Sequence, residues 1–165
     1  MRNQRLGVPL QLVDLRPTAS DERWWAPLFC LDMEYQHPHW WTQQNYGNET
    51  PWYVQVLENG IEVARVELDD PGCINPAYVN SPELGDARLE IQFIEVATAA
   101  RGRGVGTRVV RSLMERHSDR RLFAYSVDAD KFWTCLGWEP FYDPRPGPPG
   151  SPLFVQPAGG LRNPG

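Results

Sequence analysis

Residues 97–113, ATAARGRGVGTRVVRSL, contain three glycines at alternate positions, and a helix-like run follows them. The glycines are Gly102, Gly104 and Gly106. The preceding residues 88–96, RLEIQFIEV, have the apolar content and the alternation of a strand. From Val105 onward, apolar residues recur at helical spacing. The sequence therefore predicts a strand, a glycine turn and a helix in succession.

A glycine turn between a strand and a helix is suited to bind an anion. The first N–H groups of a helix have no intrahelical partner, and the helix dipole favours negative charge there. Glycines let an anion approach these groups directly. The alternative is a simple turn, in which the glycines are present only because the backbone angles are unusual. Three glycines flanked by arginines favour a phosphate ligand instead. No Gly-Lys-Ser/Thr of a Walker loop follows, and Thr107 stands where the dinucleotide motif GxGxxG requires glycine.

The composition limits the class of protein. The chain has 165 residues, of which 41% are hydrophobic and 22% charged, as in one globular domain. Its net charge of -5 makes non-specific electrostatic binding to nucleic acid unfavourable. The three cysteines have neither zinc nor disulfide-framework spacing, and no stretch has the pattern of a signal peptide or a membrane span. We expect a cytoplasmic protein that binds neither nucleic acid nor membrane.

The pattern along the chain predicts a mixed α/β (α+β) domain. Strands are expected at residues 11–16, 52–57, 61–68, 88–96, 122–127, 138–142 and 153–156. Helices are expected from Val105 onward and at residues 129–136. A further helix is expected from Ser20 or Asp21 through the run that ends at Gln36, although Pro27 could kink it or break it early. Asn59-Gly60 predicts a hairpin turn, and residues 69–86 read as one long loop.

The glycine turn resembles the acetyl-CoA loop of the GCN5-related N-acetyltransferase (GNAT) superfamily. That loop reads Q/R-x-x-G-x-G/A, and Arg101, Gly104 and Gly106 fill its fixed positions. Val96 matches the valine that ends the preceding strand in the family. Residues 129–138, ADKFWTCLGW, resemble a second family motif, AxxFYxxLGF. The two motifs stand in the family's order and separation.

The resemblance implies one N-acetyltransferase domain over residues 1–165, with a flexible tail at 158–165. The expected fold is a GNAT-like mixed central sheet of six to seven strands flanked by about four helices. The implied reaction moves an acetyl group from acetyl-CoA directly to a primary amine, on a small molecule or a peptide, without a metal. Three alternatives stay open. The donor could be a longer acyl-CoA, the protein could form a homodimer, and the domain could be a catalytically weak module that binds acyl-CoA.

The resemblance also assigns the cofactor-binding residues. The pyrophosphate is expected on the loop amides of Arg101, Gly102, Arg103, Gly104, Val105, Gly106 and Thr107. The pantetheine arm is expected along the backbone of residues 94–97, which include Ile94, Glu95 and Val96. One amide of this strand would polarise the thioester carbonyl, as an oxyanion hole does. Ser126 stands where relatives often have an asparagine that contacts the cofactor.

The general base is expected on the strand at 88–96, because the attacking amine must be neutral. Strand alternation puts Glu90 and Gln92 on one face together with Ile94 and Val96, which the resemblance makes the cofactor side. Glu90 is the candidate base, at the position of the catalytic glutamate in the histone acetyltransferase branch. The alternative is that Glu90 has no catalytic role and simply lies at a solvent-exposed end of the strand.

The general acid is less well defined by the motif. Trp133 occupies the place of a family tyrosine that protonates the leaving thiolate. An indole N–H is a donor but not a usable acid. Trp133 could still orient the sulfur, or water could protonate it. Tyr125 or Cys135 could substitute, and core packing is the alternative for both.

The acceptor is expected to lie against the region between the first two strands. Carboxylates with aromatic rings suit an amine or organic cation, and the candidates in this region are Asp32, Glu34, Trp40 and Trp41. Gln92 of the strand at 88–96 is a further candidate for contact with the acceptor. Core packing is favoured for Trp24, Trp25 and Phe29. Two histidines that flank Pro38 are too few for a metal site. The loop at 69–86 is expected to cover the acceptor cleft.

Overall fold

The structure is a computed structural model that describes residues 7–16, 29–30, 32–41, 51–148 and 150–159. Within these residues, seven strands form one sheet, and two α-helices and three short 3-10 turns accompany them. The strands are β1 (Gln11–Leu15), β2 (Trp52–Glu58), β3 (Ile61–Asp69), β4 (Arg88–Val96), β5 (Arg121–Tyr125), β6 (Glu139–Phe141) and β7 (Leu153–Val155). The helices are α1 (Val105–Arg116) and α2 (Asp130–Cys135), and the 3-10 turns span Pro38–Trp41, Gly85–Ala87 and Thr98–Ala100.

The sheet is mixed, with the strand order β1-β2-β3-β4-β5-β7-β6. β4 and β5 are parallel, whereas β1 with β2, β5 with β7, and β6 with β7 are antiparallel. Asn59 and Gly60 join β2 to β3 and both have positive φ, of 52° and 76°, as this hairpin turn requires. The predicted fold class, a mixed α/β domain around a central sheet of six to seven strands, is therefore confirmed.

The chain divides into two compact units, residues 1–67 with 93–109 and residues 68–92 with 110–165. The first unit has an aromatic core in which Phe29 meets Trp41 and Tyr53 edge-on, with ring centroids 5.5 and 5.6 Å apart. The core of the second unit contains Tyr78, Phe123, Leu153 and Val155, all buried. In this unit the parallel pairing of β4 with β5 runs from Arg88 opposite Arg121 to Glu90 opposite Phe123.

The first predicted helix is wrong where the structure describes it. Residues 32–37 form turns and bends, while residues 17–28 lie outside the described part of the chain and include Trp24 and Trp25. The buried residues of this region are Phe29, Tyr35 and Trp41, whose spacing of six does not match one face of a helix. Two α-helices, instead of about four, are present in the described residues. The single domain stays a prediction, as does the tail, of which only Ala158 and Gly159 are described.

A buried carboxylate of β3 holds this region on the sheet of the first unit. Glu62 accepts hydrogen bonds from Cys30 N at 2.9 Å and Tyr35 Oη at 2.9 Å. It also accepts from Gln55 Nε2 at 2.7 Å and Arg65 Nε at 2.6 Å. The side chain of Glu62 has no exposed surface and that of Arg65 is 9% exposed, so the ion pair is buried. Such a pair requires its hydrogen bonds, because each charge alone would be costly to desolvate.

We predict that Glu62→Ala lowers the free energy of unfolding by about 3–5 kcal/mol, because it leaves the Arg65 charge buried without its partner. Glu62→Gln keeps an acceptor oxygen and should cost less. The double variant Glu62→Ala, Arg65→Ala should cost less than the sum of its single variants, as urea denaturation can measure. Additive losses would contradict a coupled pair.

Candidate functional site

The glycine loop opens its backbone to solvent at the start of α1. Gly102 and Gly104 have φ of +78° and +70°, and a Cβ added at either would meet no atom within 4 Å. The first helical bond joins Arg108 N to Gly104 O at 3.2 Å. The N–H groups of Val105, Gly106 and Thr107 therefore belong to the turn in which helical donors lack intrahelical partners. A phosphate could approach this main chain without displacing a side chain of the loop.

Carboxylates of the same unit partner the arginines of the loop. Arg103 Nη1 lies 3.0 Å from Glu58 Oε1, and Arg108 Nη1 lies 2.8 Å from Glu58 Oε2. Arg101 Nη2 lies 3.6 Å from Glu95 Oε2. Because these guanidinium groups already have partners, the main-chain amides are the better candidates for binding an anion.

Glu95 of β4 is buried and forms a second anchor in the first unit. It accepts hydrogen bonds from His37 N at 2.9 Å and Trp41 Nε1 at 2.9 Å, and His37 Nδ1 lies 3.1 Å from its carboxylate. Its side chain is 1% exposed. The carboxylate of Glu95 thus holds the aromatic segment, while its main chain belongs to the strand residues Ile94 to Val96, predicted to bind pantetheine.

The predicted acceptor residues differ in their exposure to solvent. Trp41 is buried and donates to Glu95. Trp40 is partly exposed, and its ring stacks on His37 with centroids 4.1 Å apart and planes at 8°. Asp32, Glu34 and Gln92 are exposed. Trp40 and these polar side chains are therefore accessible to a ligand, whereas Trp41 is not.

Glu90 is buried within β4 of the second unit, only 8% exposed, so it does not lie at a solvated strand end. A Cβ added at Gly72 would come 2.5 Å from Glu90 Cβ and 2.8 Å from its Oε2, and φ at Gly72 is +76°. The backbone of the loop that follows β3 is therefore packed directly on the carboxyl group. Sequence reasoning missed this contact, for which Pro-Gly after a strand was the only local signal.

The pKa of the Glu90 carboxyl group is raised to about 7. Burial is the largest cause, because it disfavours the charged form, and the negative charge of Asp69 acts in the same direction. A hydrogen bond from Cys73 N–H opposes them. A carboxyl group with this pKa can accept and release a proton near neutral pH.

The other predicted site residues of the second unit, Tyr125, Ser126 and Trp133, form hydrogen bonds or pack within that unit. Tyr125 Oη accepts from Asn75 N at 2.7 Å and donates to Cys73 O at 3.3 Å, and burial raises its pKa. Ser126 is buried, donates from Oγ to Asp130 Oδ1 at 2.6 Å and accepts from Ala129 N at 3.2 Å, at the start of α2. Trp133 is buried against Trp138, with ring centroids 4.8 Å apart.

The described part of the chain contains no group of three or more His, Cys, Asp or Glu side chains placed to hold a metal ion. No helix among the described residues is long and apolar enough to cross a membrane.

We predict that Glu90→Gln stabilises the protein at high pH relative to wild type. The pKa of Glu90 is raised in the folded state, so its contribution to stability is complete below the unfolded-state pKa of about 4.3 and is lost as pH rises through about 7. The stability difference between the variant and wild type should therefore grow by roughly 3 kcal/mol between about pH 4.5 and pH 8. Urea denaturation at several pH values measures it.

Glu115→Gln, which changes an exposed glutamate of α1, is the matched control for the loss of one carboxylate. The same pH dependence in both variants would show that lost charge, and not the burial of Glu90, causes the effect.

Comparisons with known proteins identify the family. The sequence profile of the Acetyltransferase (GNAT) family matches residues 19–138. No curated protein sequence matches the chain significantly. Among solved structures, AtaT in complex with acetyl-methionyl-tRNAfMet is 13% identical and has a TM-score of 0.55, over 89% of this chain and 95% of that one. AtaTR bound with AcCoA is 12% identical, with a TM-score of 0.54 over 88% and 92% of the two chains.

An acetyltransferase from Thermus thermophilus is 15% identical, with a TM-score of 0.48 over 68% of this chain and 67% of that one. At 12–13% identity, AtaT and AtaTR show the fold alone. The profile match covers most of the chain. The chain therefore belongs to the GNAT acetyltransferase family.

Proposed function

We propose that the protein is an acetyl-CoA-dependent N-acetyltransferase that acetylates a primary amine by direct attack in a ternary complex. The observation that carries this proposal is Glu90, a buried carboxyl group on β4 whose pKa is raised to about 7. A non-catalytic binding module has no need for such a group, which costs stability when it ionises. An enzyme that must deprotonate an amine near pH 7 does need it.

The glycine loop fits the pyrophosphate of the donor. The space beside Gly102 and Gly104 is open, and the N–H groups that begin α1 are oriented for an anion. We propose that the amides of residues 101–107 hold the pyrophosphate and that the main chain of residues 94–97 holds the pantetheine arm. AtaTR, which has the same fold, is bound with AcCoA, and this supports the choice of donor. When bound, acetyl-CoA supplies an activated acetyl thioester.

Glu90 removes the proton from the acceptor amine in the proposed reaction. An alkylammonium group has no lone pair with which to attack, so the base must be deprotonated at the working pH. Trp133 as the residue that orients the sulfur stays a prediction, as does the contact of Ser126 with the cofactor. Tyr125 is a poor candidate for the acid, because it already donates its only hydroxyl proton to Cys73 O.

The acceptor is a primary amine, which the exposed Asp32 and Glu34 with the partly exposed Trp40 suit by charge and shape. The expectation that nucleic acid is excluded is not supported, because AtaT, of the same fold, was solved with acetyl-methionyl-tRNAfMet. An aminoacyl-tRNA also presents a primary amine and stays open as an acceptor class. The cytoplasmic location and the homodimer stay predictions.

We expect acetyl-CoA to bind the wild type and Gly104→Glu to abolish the binding, because the new carboxylate occupies the open side of the loop and repels the pyrophosphate. Gly104→Ala carries the same backbone strain without the charge and should bind more weakly than wild type but more tightly than Gly104→Glu. Isothermal titration calorimetry measures all three.

Gly60→Ala is the matched control for strain, since Gly60 has φ of +76° and equally open surroundings in the β2–β3 turn. A similar loss of binding in Gly60→Ala would assign the effect to strain. No binding by folded wild type would remove acetyl-CoA as the donor.

We expect Glu90→Gln to lower kcat/KM about 10²–10⁴-fold without weakening acetyl-CoA binding, because it removes the base and leaves the glycine loop intact. Wild-type kcat/KM should rise with pH through about 7, as Glu90 loses its proton. A panel of amines and aminoacyl-tRNAs, assayed by release of free CoA thiol, provides the measurement. Binding of acetyl-CoA without turnover of any acceptor would favour the binding-module alternative.

A further inference from the structure

The loop at residues 70–84, between β3 and the 3-10 turn Gly85–Ala87, forms a cover over Glu90. Gly72 packs its backbone against the Glu90 side chain, since even a methyl group at position 72 would lie 2.8 Å from Oε2. The next residue, Cys73, donates its backbone N–H to the carboxyl group. Two successive residues of this loop thus exclude water from Glu90 and bind it.

Arg88 of β4 donates from Nε to Gly72 O at 3.2 Å, and Tyr125 of β5 binds the next residues of the loop. Tyr125 Oη accepts from Asn75 N at 2.7 Å and donates to Cys73 O at 3.3 Å. One hydroxyl group therefore binds the main chain at Cys73, which itself bonds to Glu90, and at Asn75. Phe123, two residues earlier on β5, is the sheet partner of Glu90, so β5 fixes both the strand and the loop that enclose the carboxyl group.

The ring of Tyr125 is itself well supported. It meets Tyr78 at a centroid distance of 5.5 Å with planes at 70°, and Phe123 at 6.5 Å with planes at 85°. Tyr78 belongs to the buried core of the second unit and donates to Ser151 O at 2.6 Å. The Tyr125 hydroxyl is thus held in place by ring packing that does not involve Glu90.

We propose that Tyr125 is a positioning residue that closes the 70–84 loop over Glu90 and so keeps the carboxyl group out of water. The catalytic meaning of this contact rests on the proposed function, whereas the contact itself does not. Tyr125 acts through the loop and not as an acid, because its one hydroxyl proton is donated to Cys73 O.

The groups that face Glu90 decide the direction of the expected change. Asp69 at the end of β3 and the exclusion of water both raise the pKa of Glu90, and the Cys73 N–H lowers it. Tyr125 faces it as a neutral hydroxyl whose own pKa is raised. Opening the loop would remove the burial and the Cys73 hydrogen bond together. Because burial is the largest of these effects, the pKa of Glu90 should fall.

The test is an NMR titration of the side-chain carboxyl groups in protein labelled with ¹³C-glutamate, in which Glu90→Gln identifies the Glu90 signal. We expect a pKa of about 7 in the wild type and a lower pKa in Tyr125→Phe. An unchanged pKa in folded Tyr125→Phe would overturn the proposal.

Tyr78→Phe is the matched control, because it also removes a hydroxyl that bonds main chain in the same core but not at Cys73 or Asn75. It should leave the Glu90 pKa near that of the wild type. An equal fall in both variants would mean general loosening of the core and would contradict a specific role for Tyr125.

Gly72→Ala tests the loop without altering Tyr125, and it also serves if Tyr125→Phe does not fold. The added methyl group cannot fit against Glu90 at 2.5 Å, so the loop must move away and the Glu90 pKa should fall. A folded Gly72→Ala protein with an unchanged pKa would show that the loop does not control the carboxyl group.

A kinetic measurement separates this proposal from the proposed function. In an active enzyme, Tyr125→Phe should move the acid limb of the kcat/KM profile to lower pH by the same amount as the NMR titration shows. A fall in the pKa without any acetyl transfer would refute the enzyme but not the role of Tyr125. Acetyl transfer whose acid limb does not move would refute the link between Tyr125 and catalysis.

Discussion

The structure depends on carboxylates that are buried on its central strands and must be compensated there. Burying a carboxylate is costly unless donors replace the water it loses. Glu62 on β3 and Glu95 on β4 each bind at least two N–H or O–H donors from residues 29–30 and 32–41. In the first unit, a segment with little regular structure is therefore fixed by polar contacts to the sheet, in addition to the packing of Phe29 and Trp41.

Glu90 shows the opposite balance of forces in the second unit. It is buried as the structural carboxylates are, but it receives a hydrogen bond from Cys73 N–H and faces the negative Asp69. Burial therefore prevails, and the pKa rises to about 7. Compensation by several donors makes a buried carboxylate an anchor, whereas incomplete compensation makes it suitable for proton transfer. Sites that break the rules of stability in this way are where function is expected.

Much of the fold could be predicted because its signals are local. The β2–β3 hairpin follows from Asn59-Gly60, and α1 begins at Val105 as the periodicity indicates. The glycine loop was recognisable for the same reason, since its meaning lies within a few consecutive residues. These features can be predicted without knowing how the rest of the chain folds.

The surroundings of the candidate catalytic residues could not be predicted in this way. The partners of Glu95 are 54 and 58 residues away in the sequence, and Tyr125 is 50 residues from Asn75. Periodicity placed Glu90 on the correct strand, but the sequence pattern does not contain the path of the loop that packs on it at Gly72. The predicted helix through residue 36 failed for a similar reason, because Tyr35 and His37 bond to carboxylates of the sheet.

Glycine has two different tasks in this protein, and the structure distinguishes them. Gly72, Gly102 and Gly104 all have φ between +70° and +78°, so conformation alone would favour glycine at each. At Gly72 the nearest obstacle is the chain itself, because Glu90 leaves no room for a side chain. At Gly102 and Gly104 no atom of the described chain lies within 4 Å of an added Cβ. Gly60 of the β2–β3 turn is equally open, so open space alone does not indicate a ligand. What distinguishes Gly102 and Gly104 is their place directly before the N–H groups that begin α1, which is why we propose a phosphate there.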